Sequence, residues 1–220
     1  MKTSEFSVAK EGLPFILLCA FIALICSILQ YKHAGLGALL ATIFVTYFFR
    51  DPDRILPEEQ NAVVSPADGK VIRVEEIFDD RFLQKHLLRI SIFMNVFDVH
   101  VNRIPLAGTV RRIIFQPGRF YAADKDKAVL HNEYCALIVS PASGQEYAVV
   151  QVAGLIARRI ICWAEPGDQV KTGERFGLIR FGSRVDVYLP QGTAAAVQVG
   201  DKVRAGETVL GSLQRTELTA

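Results

Sequence analysis

Three residues of the types used in acyl chemistry stand where strand-like runs meet turns: Asp68 in SPADGKV, His100 in FMNVFDVHVNRIP and Ser183 in FGSRVDVYLP. Gly182-Ser183 separates two runs that read as strands, GLIRF and RVDVYLP, at a point where no turn is otherwise needed. Glycine inside a strand pattern marks a bulge or a strained backbone. At a strained Gly-Ser peptide the serine oxygen can take over the acyl group from its own nitrogen, because the shift relieves the strain. Of the four histidines, His33, His86 and His131 lie in polar or tip segments, and only His100 is inside an apolar run. An imidazole there is either a satisfied core residue or a general base, since histidine alone titrates unperturbed near neutrality. Pro66-Ala67-Asp68-Gly69 is an ordinary turn sequence, so Asp68 has a structural reading beside a chemical one. Taken together the three form a candidate relay, in which a carboxylate orients an imidazole and the imidazole activates a hydroxyl.

The elements that must position them are mainly strands. From Asn61 onward, short runs rich in Val and Ile alternate with Gly, Pro, Asp and Asn, as in AVVSPADGKVIRV, GTVRRIIF and CALIVSPASG. RFLQKHLL and DKDKAVLHNEY are expected to supply a helical turn or two. A repeat follows: Gly167-Asp168-Gln169-Val170-Lys171-Thr172-Gly173-Glu174 matches Gly200-Asp201-Lys202-Val203-Arg204-Ala205-Gly206-Glu207, the pattern G-D-x-V-x-x-G-E. Each copy reads as a tight turn, an inward-facing strand residue and a second turn. Paired units of this kind resemble the barrel-sandwich hairpins of lipoyl and biotinyl domains. The expected fold class is therefore mainly β, a compact β catalytic domain with a barrel-sandwich-like hairpin repeat, preceded by an N-terminal α-helical membrane hairpin.

That hairpin accounts for the mean hydropathy of +0.25. Between Glu11 and Lys32 there is no charged residue, and from His33 to Phe49 a second apolar segment follows. A helix rises about 1.5 Å per residue, so the first is long enough to cross a bilayer core and the second is at the lower limit. Helices are expected over about 12–31 and 34–49, with the break at Lys32, His33 and Gly35. Residues 1–50 then form the hairpin, 51–60 a connector, and 61–220 the β-rich domain. Lys2 and Lys10 before the hairpin, and Arg50 and Arg54 after it, outnumber Lys32 at its tip. This places the outer ends, and the catalytic domain, on the cytoplasmic side of the inner membrane. A cleaved signal peptide would have a shorter apolar core ending in small residues.

Composition excludes several classes. A net charge of +2 offers no footprint for nucleic acid. Cys19, Cys26, Cys135 and Cys162 form no C-x-x-C pair, so neither a zinc knuckle nor a redox dithiol is encoded, and no metal-ligand spacing is visible. A G-x-S-x-G elbow is absent, which argues against a serine hydrolase. A membrane-tethered barrel-sandwich carrier or adaptor remains the main alternative, because it would share the repeat. Asp126-Lys127-Ala128 mimics a carrier lysine, but it precedes both repeat units instead of lying between them.

SPADGKV, FMNVFDVHVNRIP, HNEY, QVAGLIARRIICW and FGSRVDVYLP, in this order after an apolar hairpin and FFRDPDR, resemble the phosphatidylserine decarboxylase proenzymes of the short bacterial and archaeal type. The resemblance covers nearly the whole chain. It implies self-cleavage between Gly182 and Ser183 into a β chain, 1–182, and an α chain, 183–220, that stay associated. Ser183 would become a covalent pyruvoyl group, with no metal and no pyridoxal phosphate. Asp68 and His100 match the residues that promote the serine's attack. Longer relatives carry a second histidine where this sequence has Arg103, so His100 would serve cleavage, decarboxylation or both. The substrate would be a membrane phospholipid, with Arg158, Arg159 or Arg184 as candidates to face its phosphate. A homodimer is compatible with the resemblance, and nucleic acid is not an expected partner.

Overall fold

The computed structural model describes residues 7–59, 61–118, 132–142, 144–154, 159–180 and 183–213. The chain divides into two compact units, Met1–Asp53 and Arg54–Ala220.

In the first unit a 3-10 turn, Lys10–Gly12, leads into α1, Leu13–Ile28, with Pro14 in the first turn, where its missing N–H leaves no bond unmade. Helix α2 is Lys32–Phe48. The break therefore falls at Leu29–Tyr31, earlier than the residue pattern suggests, with Gln30 in the left-handed region at φ 60°. Lys32 and His33 open α2 and do not form the turn. Lys10–Ile28, with mean hydropathy 2.3, is long and apolar enough to cross a membrane by length and composition; α2 is apolar but shorter. Leu17, Phe21, Ile28, Leu36, Leu40 and Ile43 are all exposed, an apolar surface suited to lipid and not to water. The two ends of the hairpin are tied together: Ala9 N donates to Phe49 O (2.8 Å), and Asp51 N donates to Ser7 O (2.7 Å). Phe15 stacks on Phe49, and a Cβ on Gly12 would lie 2.4 Å from the Phe49 ring, so this crossing requires glycine.

The second unit is built from strands. In chain order they are β1 (Ala62–Val64), β2 (Gly69–Asp79), β3 (Lys85–Met94), β4 (Val101–Arg103), β5 (Gly108–Gln116), β6 (Tyr134–Ser140) and β7 (Tyr147–Ala153). They continue with β8 (Ile160–Cys162), β9 (Gln169–Val170), β10 (Arg175–Ile179), β11 (Ser183–Pro190), β12 (Ala194–Ala195), β13 (Lys202–Val203) and β14 (Val209–Ser212). An antiparallel eight-stranded sheet runs β13-β2-β3-β11-β7-β6-β5-β9, and two smaller sheets run β4-β10-β8 and β1-β14-β12. RFLQ is not helical: the Asp79 carboxylate accepts from the N–H groups of Arg81, Phe82 and Leu83, which ties that segment into a turn, and KHLL opens β3. Most of DKDKAVLHNEY lies outside the described residues, as do Asp126, Lys127 and Ala128.

The G-D-x-V-x-x-G-E copies become β9 and β13, the two edges of the large sheet. Gly167, Gly173, Gly200 and Gly206 all take positive φ, which explains glycine at both turns of each copy. The duplication reaches further than the motif. Gly167 N donates to Val110 O and Gly200 N to Val71 O; Val110 N donates to Asp168 O and Val71 N to Asp201 O. Strands β2 and β5 even shift register at equivalent points, between Val71 and Arg73 and between Val110 and Arg112. Asp68-Gly69 in one half thus corresponds to Ala107-Gly108 in the other.

Strand alternation gives the large sheet two buried faces. One carries Ile90, Ile92, Met94, Val149, Val185 and Val187 into the main core. The other carries Leu87, Val150, Val152 and Tyr188 into a smaller cluster with Phe82.

Candidate active site

Ser183 is the first residue of β11 and is fully buried. It pairs with Met94 at the end of β3 and with Ala153 at the end of β7, so it sits between two strands that close around it. Its position in the alternation turns the side chain into the main core, on the face of Val185 and Val187. There the hydroxyl donates to the Met94 sulfur at 3.5 Å. Gly182 lies outside the described residues.

The HNEY segment braces the same spot. Asn132, itself buried, donates from Nδ2 to Ala153 O at 2.6 Å, and Ala153 N donates to Glu133 O at 2.9 Å. Glu133 also accepts from Ile160 N through its carboxylate, at 3.1 Å.

His100 precedes β4 and is fully buried. Its Nδ1 is 3.0 Å from Asp98 O, an atom that can only accept. Nδ1 therefore carries the proton, which leaves Nε2 as the basic nitrogen. The His100 carbonyl accepts from Ile179 N at 3.3 Å, fixing this residue to the end of β10. Two residues on, Asn102 donates from Nδ2 to the Met94 sulfur at 3.7 Å, so β4 and Ser183 meet at one thioether.

Asp68 lies at the same end of the sheet, directly before Gly69, where any Cβ would fall 2.2 Å from Phe93 O. Its carboxylate is held by Arg54 Nη2 at 2.8 and 3.0 Å and by Ala205 N at 2.8 Å. Asp68 thus ends in an ion pair with the connector residue Arg54, not in a hydrogen bond to the imidazole. Arg54 also reaches Glu207 at 3.7 Å. Arg103, in the place of a second histidine, is buried and donates to Gly173 O at 3.0 Å.

The three candidate arginines part ways. Arg158 lies outside the described residues, and Arg159 is exposed. Arg184 points to the opposite face of the sheet from Ser183, with its side chain fully buried. It pairs with Asp186, Nε to Oδ1 at 2.9 Å and Nη2 to Oδ2 at 3.0 Å.

Two residues that the sequence does not flag complete the surroundings. Asn102 and Gln151 are fully buried carboxamides in an otherwise apolar core, and Gln151 Nε2 donates to Asn102 Oδ1 at 2.8 Å. A glutamine within EYAVVQVAG is the one signal that could have revealed this pair. Nearby, the Cys135 thiol is pushed up by the hydrogen bond it makes to Cys162 and by burial, while Cys162, receiving that bond, is lowered. Burial likewise raises the Tyr147 hydroxyl, which donates to Leu106 O at 2.6 Å. Among the described residues no cluster of three or more His, Cys, Asp or Glu side chains could hold a metal ion.

The phosphatidylserine decarboxylase family model matches residues 41–211. The chain is 53% identical over 213 residues to the phosphatidylserine decarboxylase proenzyme of Desulfotalea psychrophila, covering 97% of this chain and all of that one. It is 48% identical to the proenzyme of that name from Syntrophus aciditrophicus, over 96% of this chain, and 46% identical to that from Geotalea uraniireducens, over 97%. Both of those proteins are covered in full.

Proposed function

The chain belongs to the phosphatidylserine decarboxylase family, and from that premise we propose that it is a proenzyme cut by its own Ser183, whose product decarboxylates phosphatidylserine to phosphatidylethanolamine and CO₂. The observation that carries this reading is a serine hydroxyl fully buried at the head of a central strand, within one thioether of the segment that bears His100.

Cleavage needs a nucleophile, a base and a leaving nitrogen. The Ser183 oxygen attacks the Gly182 carbonyl carbon, while His100 Nε2 takes the hydroxyl proton and returns it to the departing amide nitrogen. The peptide becomes an ester. Loss of the Ser183 Cα proton then expels the Gly182 carboxylate, which ends the β chain. One water replaces the freed nitrogen, ammonia leaves, and residue 183 is left as a pyruvoyl group. Asp68 contributes the fixed negative charge of this end of the sheet, held in place by Arg54 and Ala205.

The surroundings fit such a group. Burial keeps bulk water from residue 183, and Met94 and Ala153 hold it from both sides. Once formed, the group supplies an electron sink for the pair left behind by CO₂. In this reading His100 returns a proton to the substrate carbon. Cleavage does not free the α chain, because β11 lies between β3 and β7 and β14 pairs with β1. Arg159, exposed beside Arg180, is assigned with Arg158 to the lipid phosphate. The apolar hairpin anchors the chain in the cytoplasmic membrane, where its substrate resides, with the β unit on the cytoplasmic side.

Vesicles containing phosphatidylserine labelled at the serine carboxyl test the reading. Wild-type protein releases labelled CO₂ and leaves phosphatidylethanolamine; Ser183→Ala releases none. Processed wild type that releases no CO₂ from such vesicles would refute it.

A further inference from the structure

Met94 fixes more than the serine. A thioether sulfur accepts hydrogen bonds and has no proton to donate. Asn102 must therefore turn its NH₂ toward Met94 Sδ, at 3.7 Å, which aims its Oδ1 away. That oxygen needs a donor, and Gln151 Nε2 supplies it at 2.8 Å. The orientation of the second amide is thus also set, and Gln151 Oε1 is left with no hydrogen-bond partner among the described residues. Gln151 is fully buried, and an acceptor left unmatched there is destabilising. Packing deepens the constraint. Gly177 lies against the amide so closely that a Cβ there would sit 2.8 Å from Nε2 and 3.2 Å from Oε1. Gln151 is opposite Val185 and Ala153 opposite Ser183, so Gln151 and Ser183 are diagonal neighbours on one face, roughly 7–8 Å apart at Cα.

An oriented, unmatched acceptor beside the reactive residue calls for a ligand that brings N–H. We propose that Gln151 Oε1 binds the amino group of the serine headgroup, with Asn102 and Met94 as the positioning residues that aim it. This assignment rests on the decarboxylase reading above. A primary amine is thereby preferred over the trimethylated amine of a choline headgroup, which has no N–H to give.

The test uses the full-length processed protein with dihexanoyl phosphatidylserine and cyanoborohydride, reading the mass that the α chain gains. Gln151→Met keeps the length and apolar packing but removes the acceptor, together with the Nε2 donor to Asn102. It is expected to cleave itself as wild type does, to unfold within a few degrees of wild type, and to capture the lipid about 10–100-fold more slowly, the loss expected for one hydrogen bond to a charged group. Gln151→Glu supplies a second arm. Protonated, its carboxyl can donate to Asn102 Oδ1 and keep one oxygen open, so its capture relative to wild type rises as pH falls. Capture by Gln151→Met at the wild-type rate overturns the proposal. So does a failure of both variants to cleave while their unfolding matches wild type, which would assign Gln151 to cleavage instead. If wild type itself yields no α chain, the decarboxylase reading falls and takes this one with it, an outcome distinct from any variant effect.

Discussion

A serine hydroxyl that donates to sulfur is held loosely, because a thioether is a weak acceptor. Ser183 is thus oriented by Met94 at 3.5 Å without being tied up, and its proton remains available to a base. The tautomer of His100, set by Asp98 O, leaves Nε2 for that task. His100→Ala is expected to slow self-cleavage by about 10²–10⁴-fold, the usual worth of a positioned base, measured as conversion of precursor to small chain over time. Asp68→Asn keeps the hydrogen bond from Ala205 and removes the charge paired with Arg54. Its cleavage is expected to slow roughly tenfold, and wild-type kinetics would remove Asp68 from the chemistry. Ser183, His100 and Asp68 stood out as candidates because their flanking motifs are distinctive. Asn102 and Gln151 were not, since a carboxamide in a strand pattern looks like a surface position until its neighbours are known. The surroundings of Arg184 were hidden for a related reason. Strand alternation places Arg184 and Asp186 on one face, but only the fold shows that this face is buried.

At the scale of elements, the duplicated hairpins supply both edges of the large sheet, and the copies differ at a candidate site residue. Asp68 stands where the other half has Ala107, so a repeat turn has gained a carboxylate without changing its backbone plan. The G-D-x-V-x-x-G-E spacing revealed the strands at both sheet edges, but the register shared by β2 and β5 required the structure. Gly177 in β10 is closely packed on two sides, since a Cβ would meet Ile161 O of the neighbouring β8 at 2.4 Å and the Gln151 amide of the large sheet at 2.8 Å. Gly177→Ala is expected to cost about 1–3 kcal/mol, and hence several degrees of apparent Tm in a thermal scan. The Arg184–Asp186 pair gives a sharper test. Asp186→Ala removes the carboxylate paired with a buried guanidinium and should cost about 3–5 kcal/mol, while replacing both partners with apolar residues should cost much less. Equal losses from the single and double variants would show that the pair is not the stabilising unit.

For the whole molecule, the chain divides into two compact units, Met1–Asp53 with the apolar helices and Arg54–Ala220 with the strands. The exposed apolar helices of Met1–Asp53 predict that full-length protein stays in the membrane pellet after alkaline carbonate extraction; recovery in the supernatant would contradict an inserted hairpin. Apolar segments of this length were plain in the sequence. The position of their turn was not, because Gln30 adopts a left-handed conformation that composition does not mark. On the proposed cut before Ser183, β11 would keep its pairing with β3 and β7 in the eight-stranded sheet. The central claim, that Ser183 is consumed to make the cofactor, is tested most directly by intact-mass analysis of denatured protein beside Ser183→Ala. Wild type should give two chains, 1–182 and 183–220, the smaller lighter than its encoded peptide by the difference between serine and pyruvoyl and blocked to Edman degradation. Ser183→Ala should remain a single chain. An active wild type that runs as one full-length chain, or a small chain that begins with an intact serine, would contradict the account.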